Sequence, residues 1–283
     1  MIRRLGPSDE SAVQVFLAQR LQSSFILVAN LAADGFVYEG VPYQGIYVGA
    51  FDGDALAGVA AHYWNDNLIF QAPRYAAELA AGALRASRRP CAGLIGPWAQ
   101  IEAARDALGL SERPTRYNSK EILYGVELAR LRTPDGLVSG SVQCRRARPE
   151  DLPVLTEFAA ADMIETFGDT EGPELRTKAR DSLERDMGEG ILFVLEADGS
   201  VVAKSSFHGI ANGAVQIGGV YTPPDRRGRG YARSVVAGSL LMARDAGESK
   251  AFLFTSEENI AAQHAYIALG FAPIGNYGII LFR

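Results

Sequence analysis

The sequence predicts an α/β protein of two consecutive units whose elements follow the same order, and three observations lead there. Strand-like apolar runs alternate along the chain with segments of helical apolar spacing. Two sets of segments match, their offset growing from 142 residues (Arg3 to Arg145) to 161 (Gly109 to Gly270), a domain-sized period too long for a solenoid. With 283 residues, 48% of them hydrophobic and 22% charged, each half has material for its own core.

The first element of each unit is a short strand followed by a helix start marked by proline and acid. IRRLGPSDESAVQVFLA matches CRRARPEDLPVLTEFAA, pairing Arg3, Arg4, Pro7, Asp9 and Phe16 with Arg145, Arg146, Pro149, Asp151 and Phe158. Next comes a hairpin: IYVGAFDGDALAGVAAHYW matches LFVLEADGSVVAKSSFHGI, with apolar alternation around Asp52-Gly53 and Asp198-Gly199, and with His62 paired to His208. Each unit ends on a late helix closed by a C′ glycine. WAQIEAARDALGL resembles NIAAQHAYIALGF, so Gly109 falls on Gly270. Pro, Gly and Ser gather in LRTPDGLVSGS, which places the units at residues 1–130 and 142–283 with a linker at 131–141.

Composition narrows the function classes. No apolar run approaches the roughly 20 residues that cross a bilayer, and MIRRLGPSDE turns polar at once, so the expectation is a soluble, unexported, cytoplasmic protein without membrane partners. Two cysteines, Cys91 and Cys144, and three scattered histidines give neither a disulfide framework nor metal-ligand spacing; reduced thiols and no metal are expected. A net charge of −5 argues against nucleic acid, which needs a basic face.

The chemistry concentrates in the second unit. AVQIGGVYT reads as a strand, PPDRRGRG as a tight loop and YARSVVAGSLLMARDAG as a helix, with Ala232, Val235, Val236, Leu240 and Ala243 at helical spacing and Gly247 as its stop. A strand feeding a glycine loop into a helix start presents free backbone N–H groups and the positive end of the helix dipole, an arrangement that binds phosphate. Gly228 and Gly230 allow close backbone approach, and Arg227 and Arg229 add charge-assisted donors. Taken alone, the segment fits a solvated basic turn or a coenzyme A pyrophosphate loop. A dinucleotide fingerprint fails, because Arg233 stands where the third glycine belongs and no acid follows about 20 positions on.

Arg227-Gly228-Arg229-Gly230-Tyr231-Ala232, with Pro224 three residues before it, resembles the R/Q-x-x-G-x-G/A signature of the GNAT acetyltransferases. Downstream of KAFLFT, the residues Asn259, Ala262, Tyr266 and Gly270-Phe271 fit the same family's N-x-x-A-x-x-x-Y-x-x-x-G-F arrangement. The resemblance covers about half the chain. It implies a twisted mixed sheet with helices on both faces, splayed between AVQIGGVYT and KAFLFT so that the pantetheine arm of acetyl-CoA lies in the split. It further implies that Val220, Tyr221 and Thr222 pair with pantetheine through their backbones, and that Arg227, Gly228, Arg229, Gly230, Tyr231 and Ala232 hold the pyrophosphate. Asn259 and Ala262 would contact the coenzyme, Asn259 serving equally as a helix N-cap. An N–H near Val220 would stabilise the oxyanion, and Tyr266 would give a proton to the departing thiolate.

The base that takes the amine proton is left open among Glu257, Glu258, Gln216 and His208, with His62 as the partner of His208 favouring a structural role there. Cys91 and Cys144 have no His partner nearby in sequence and read as packed thiols.

The first unit lacks this equipment. NLIFQAPRYAAELAAGAL passes through Pro73 straight into an alanine-rich helix without a glycine pair, Arg105 falls on Tyr266, and Trp98 falls on Asn259. It reads as a degenerate copy that shapes the acceptor pocket or a dimer contact. The expected activity is direct acetyl transfer from acetyl-CoA to a primary amine, small molecule or peptide, by a monomer or homodimer without a covalent enzyme intermediate. A regulatory module that binds acyl-CoA without efficient transfer is the alternative, and an RNA-binding reading of RRGRG lacks a second basic or aromatic stripe.

Overall fold

A computed structural model describes residues 1–283. In order, its elements are β1 (Ile2–Arg4), α1 (Glu10–Ala18), α2 (Leu21–Asp34), β2 (Gly45–Asp52), β3 (Ala55–Tyr63), β4 (Asn67–Gln71), α3 (Ala76–Ser87), β5 (Gly93–Pro97), α4 (Trp98–Ala107) and β6 (Thr115–Glu127). There follow α5 (Asp135–Ser139), β7 (Gln143–Arg146), α6 (Leu152–Phe167), α7 (Pro173–Gly188), β8 (Leu192–Ala197), β9 (Ser200–Ala211), β10 (Ala214–Tyr221), α8 (Tyr231–Asp245), β11 (Lys250–Ser256), α9 (Ile260–Ala268) and β12 (Ala272–Phe282). Two units form: one from residues 1–123, 254–258 and 273–283, the other from 124–253 and 259–272.

The first unit is a mixed sheet in the order β1-β2-β3-β4-β5-β12, antiparallel except for the parallel β4–β5 pair. Its strands are apolar on both faces because helices cover both. Val48, Leu68, Phe70 and Leu94 pack under α3 and α4 through Leu79, Ala83, Ile101 and Ala104. Tyr47, Val59, Ala61 and Ile69 pack against Val13, Leu17, Leu27 and Leu31 of α1 and α2.

The second unit orders its strands β6-β11-β10-β9-β8-β7. Leu152, Leu155 and Ala159 of α6 meet Ala179 and Leu183 of α7 over Leu192 and Val194. Helix α8 lies so close to β7 that a Cβ at Gly238 would collide with Cys144, which explains a glycine in mid-helix.

The duplication read from the sequence recurs in detail. The Arg3 guanidinium bonds Asp9 at 2.9 and 2.5 Å, and Arg145 bonds Asp151 at 2.6 and 2.9 Å. Each aspartate also accepts a backbone N–H three residues earlier, from Gly6 and Arg148, and so ties strand to helix start. In the β8–β9 hairpin both turn residues, Asp198 and Gly199, have positive φ (50° and 71°), as a two-residue turn requires.

The division into units differs from the boundaries expected at 131–141. That segment carries α5 and lies inside the second unit, whereas β12 pairs with β5 in the first. The reason is edge satisfaction: without β12, β5 would present unpaired N–H and C=O groups, and the repeat pattern carries no information about which edge a last strand will fill.

Candidate functional site

The site begins where two strands part. Parallel pairing of β10 with β11 runs only through Ala214↔Lys250, Val215↔Ala251 and Gln216↔Phe252, so from Ile217 onward β10 has no partner on that edge. On its other edge the register with β9 shifts twice, between Gln216 and Ile217 and between Gly218 and Tyr221, with Gly219 in the left-handed region at φ 55°. This is the splay that the resemblance implies.

A cavity of about 590 Å³ opens there. Val220, Tyr221 and Thr222 form one wall; Arg227, Gly228, Gly230, Tyr231, Ala232 and Arg233 form the next; Asn259, Ala261, Ala262, His264, Ala265 and Tyr266 of α9 close it, with Asp162, Glu165 and Thr166 of α6 opposite. The structure thus gathers every coenzyme-binding residue named from the sequence, and Tyr266, except Arg229. Arg229 lines a neighbouring cavity of about 330 Å³ that it shares with Gly230 and Arg233 and with Pro134, Asp135, Ser141 and Asp198.

Gly228 and Gly230 both have φ of 77°, which an L side chain adopts only at a cost. Gly230 is the N-cap of α8 and offers no side chain, so the first-turn N–H groups of that helix face the cavity mouth uncapped. Thr222 Oγ1 is buried without a hydrogen-bond partner. An unpaired strand edge and an uncapped helix start therefore face one cavity, and these unmet donors and acceptors match an amide-bearing chain ending in a pyrophosphate.

Arg227 is already engaged: its Nε donates to the Thr222 carbonyl at 2.9 Å, and its two terminal nitrogens donate to Glu165 at 2.9 and 2.7 Å. That guanidinium holds the Glu165 carboxyl below its ordinary value. Asn259 caps α9, its Oδ1 accepting the Ala262 N–H at 3.1 Å. Tyr266 is buried beside the rings of Tyr124 and Phe271, and burial pushes its phenol upward, so the group stays protonated at neutral pH.

The base candidates lie elsewhere. Glu257 pairs with Lys120 at 2.9 Å, and neither it nor Glu258 lines the cavity. Gln216 is buried. The His208 ring rests on the Gly218 backbone, where a Cβ would collide with it. His208 is an exposed residue, and the protein around its imidazole, with the Lys204 ammonium, pushes its pKa down. His62, its sequence partner, is instead buried with Nδ1 2.6 Å from Ser87 Oγ. Burial pushes the Cys91 and Cys144 thiols up to about 11 and about 12, away from nucleophilic thiolate.

Sequence reasoning missed Asp162 and Glu165. A signal existed for Asp162, which falls three residues after Ala159 on the apolar stripe of α6, where a core residue is expected. Nothing marked Glu165, one more helical step along.

In the first unit the corresponding places are filled. Gln100 Oε1 accepts the Ala72 N–H at 2.6 Å, just past the end of β4. Arg105, in the place of Tyr266, donates to the carbonyls of Leu110 and Ser111 at 3.4 and 2.7 Å.

The model of the Acetyltransferase (GNAT) family matches residues 155–271. A GNAT-family acetyltransferase from Colwellia psychrerythraea is 16% identical with a TM-score of 0.56 over 100% of both chains. An N-acetyltransferase from Sphaerobacter thermophilus is 16% identical with a TM-score of 0.57, covering 99% of this chain and 94% of its own. A tandem GNAT protein of the clavulanic acid biosynthesis pathway is 13% identical with a TM-score of 0.55, covering 99% and 97%. No curated protein sequence matches. At these identities the solved structures establish a shared fold over the whole chain. The family match spans the glycine loop, Asn259 and Tyr266, so residues 155–271 are similar to the GNAT acetyltransferases, and the solved structures extend the likeness in fold to the whole chain.

Proposed function

We propose that the second unit transfers an acetyl group from acetyl-CoA to a primary amine by direct attack within a ternary complex. The observation that supports this most is the convergence on one cavity of the unpaired β10 edge, two left-handed glycines, an uncapped helix start and a protonated tyrosine.

Backbone groups of Val220, Tyr221 and Thr222 extend the β10 ladder to the pantetheine amides, and Arg227 to Ala232 surround the pyrophosphate. The Val220 N–H donates to the carbonyl oxygen that gains negative charge as the amine attacks. Tyr266 Oη–H gives its proton to the sulfur as the carbon–sulfur bond breaks, the nitrogen loses its proton to water, and the phenolate is reprotonated from water. Ala262 and Asn259 hold the start of α9 against the cavity. Residues 1–130 and 142–283 are, in this reading, two copies of one unit joined by 131–141, and only the second binds acetyl-CoA.

Isothermal titration tests this. Wild type binds one acetyl-CoA per chain, Gly230→Trp abolishes binding without unfolding, and an amine screen then yields coenzyme A thiol. Two equivalents per chain would contradict the loss of the first site. Binding without thiol release for any amine would leave a regulatory acyl-CoA module. No binding at all would remove the acyltransfer reading.

A further inference from the structure

Lys204 is a charged residue in the middle of a buried strand: its side chain is 6% exposed, and Ser205 and Ser206 beside it are also buried. Such a charge is retained only where it is paired and hydrogen-bonded. Its Nζ donates to the Gly219 carbonyl at 2.8 Å and lies 3.6 Å from Asp162 Oδ2 on α6. Burial disfavours the ammonium form, and Asp186 of α7 adds a second favourable charge to that of Asp162.

The carbonyl that Lys204 grips belongs to the irregular part of β10. Gly219 and Val220 lie between the paired positions Gly218↔Ser206 and Tyr221↔Lys204, and both are beyond the end of β11 pairing. Every peptide bond in the chain is trans. In a trans peptide the N–H points opposite to the C=O of the same plane. With the Gly219 carbonyl turned to Lys204, the Val220 N–H is turned the other way, and Val220 lines the cavity. Glycine is required at 219 twice over: φ is 55°, and a Cβ there would sit 3.0 Å from Ser206 Oγ and 3.4 Å from Lys204 Nζ.

We propose that Lys204 is a positioning residue for acyl transfer: by holding the Gly219 carbonyl it aims the Val220 N–H at the thioester carbonyl of the donor. This role rests on the acyl-CoA reading above. Lys204 itself need not touch either substrate. It fixes one peptide plane, and the fixed plane supplies a preorganised donor where charge develops, which spares the site a reorientation during reaction.

Isotope-edited infrared spectroscopy of bound [1-¹³C]acetyl-CoA reads that donor without knowledge of the amine. In wild type the thioester carbonyl band moves to lower wavenumber on binding. In Lys204→Met the affinity measured by titration stays within about 3-fold of wild type, since a positioning role leaves the rest of the binding surface intact, and the band returns toward its position in water. Lys204→Leu, which has no donor, gives the same loss and serves should the methionine variant not fold. An undiminished shift in either folded variant overturns the proposal, as does a wild-type complex with no shift. If neither variant folds or binds, Lys204 is a stability residue and the positioning role fails. Failure of wild type to bind acetyl-CoA is a different result, since it removes the acyl-CoA reading itself.

Discussion

Glu165 of α6 and Arg227 of the glycine loop form a two-pronged ion pair, with N···O distances of 2.9 and 2.7 Å, on the wall of the cavity proposed to hold acetyl-CoA. The arginine that opens the glycine loop is thus neutralised by a carboxylate of α6. A phosphate that seeks Arg227 must either share it or displace Glu165. Both side chains are about half exposed, so the pair itself is worth at most about 1 kcal/mol. Glu165→Gln is expected to tighten acetyl-CoA by up to about 5-fold, a factor set by that same energy, and Arg227→Ala to weaken it. A titration showing weaker binding by Glu165→Gln would mean that the carboxylate orients Arg227 for the ligand instead of competing with it. The pH trend has a definite sign: Arg227 depresses the Glu165 pKa, so the pair persists above the ordinary carboxylate range and is lost only as pH falls through the lowered value.

Tyr266 carries the clearest catalytic expectation. Its ring fills space beside Tyr124 and Phe271, which phenylalanine preserves, while the hydroxyl is the only part that serves as an acid. Tyr266→Phe is expected to lower turnover by about 100-fold, the usual scale for a general acid, and to leave acetyl-CoA affinity and thermal midpoint nearly unchanged. Equal turnover by the two proteins would reduce Tyr266 to packing.

The matched Arg–Asp pairs of the two units provide an internal control on stability. Arg145 and Asp151 are 14% and 6% exposed and Arg145 also bonds Glu196, whereas Arg3 is 42% exposed. Replacing Asp151 by asparagine is expected to cost about 3 kcal/mol, as when one partner of a buried pair is removed, and Asp9→Asn under about 1 kcal/mol. Arg145 holds the Asp151 pKa below its unfolded value, so the contribution is complete above about pH 4 and disappears as pH falls through the folded value. Denaturant midpoints of wild type and Asp151→Asn should therefore differ most near neutrality and converge in acid. A constant gap across pH would assign the effect to packing.

Much of this was legible because it is local. Asp198-Gly199 announces its hairpin, Gly109 and Gly270 announce helix ends, and the run from Arg227 to Ala232 announces an anion loop, each by backbone chemistry confined to a few residues. What escaped depends on residues far apart in the chain: β12 finding the edge of β5, Glu165 meeting Arg227 across 62 positions, and Lys204 reaching the Gly219 carbonyl. One of these, Lys204, left a trace, and so did the Asp162 that it faces. A lysine inside the buried run of β9 and an aspartate on the apolar stripe of α6 both break a pattern, and the structure shows the two breaks facing each other at 3.6 Å.

The glycine loop separates conformational from steric demands. At Gly228 a Cβ would meet nothing within 4 Å, so Gly228→Ala tests the backbone alone: φ of 77° costs an alanine about 1 to 2 kcal/mol. The site has two ways to meet that cost. If the strained loop persists, acetyl-CoA affinity is unchanged and the thermal midpoint falls; if the loop relaxes to negative φ, the midpoint holds and affinity drops by about 10-fold or more, since 1.4 kcal/mol is a tenfold change. Gly230 differs, because it also caps α8 and a Cβ there approaches Arg233 Nη2 at 3.5 Å. Relaxing Gly230→Ala would disturb the helix start itself. Gly230→Ala is therefore expected to lose both stability and affinity, and Gly228→Ala only one of them. Calorimetry and titration on the two alanine variants distinguish these cases, and unchanged values for both in Gly230→Ala would show that the loop does not need its left-handed turn to bind.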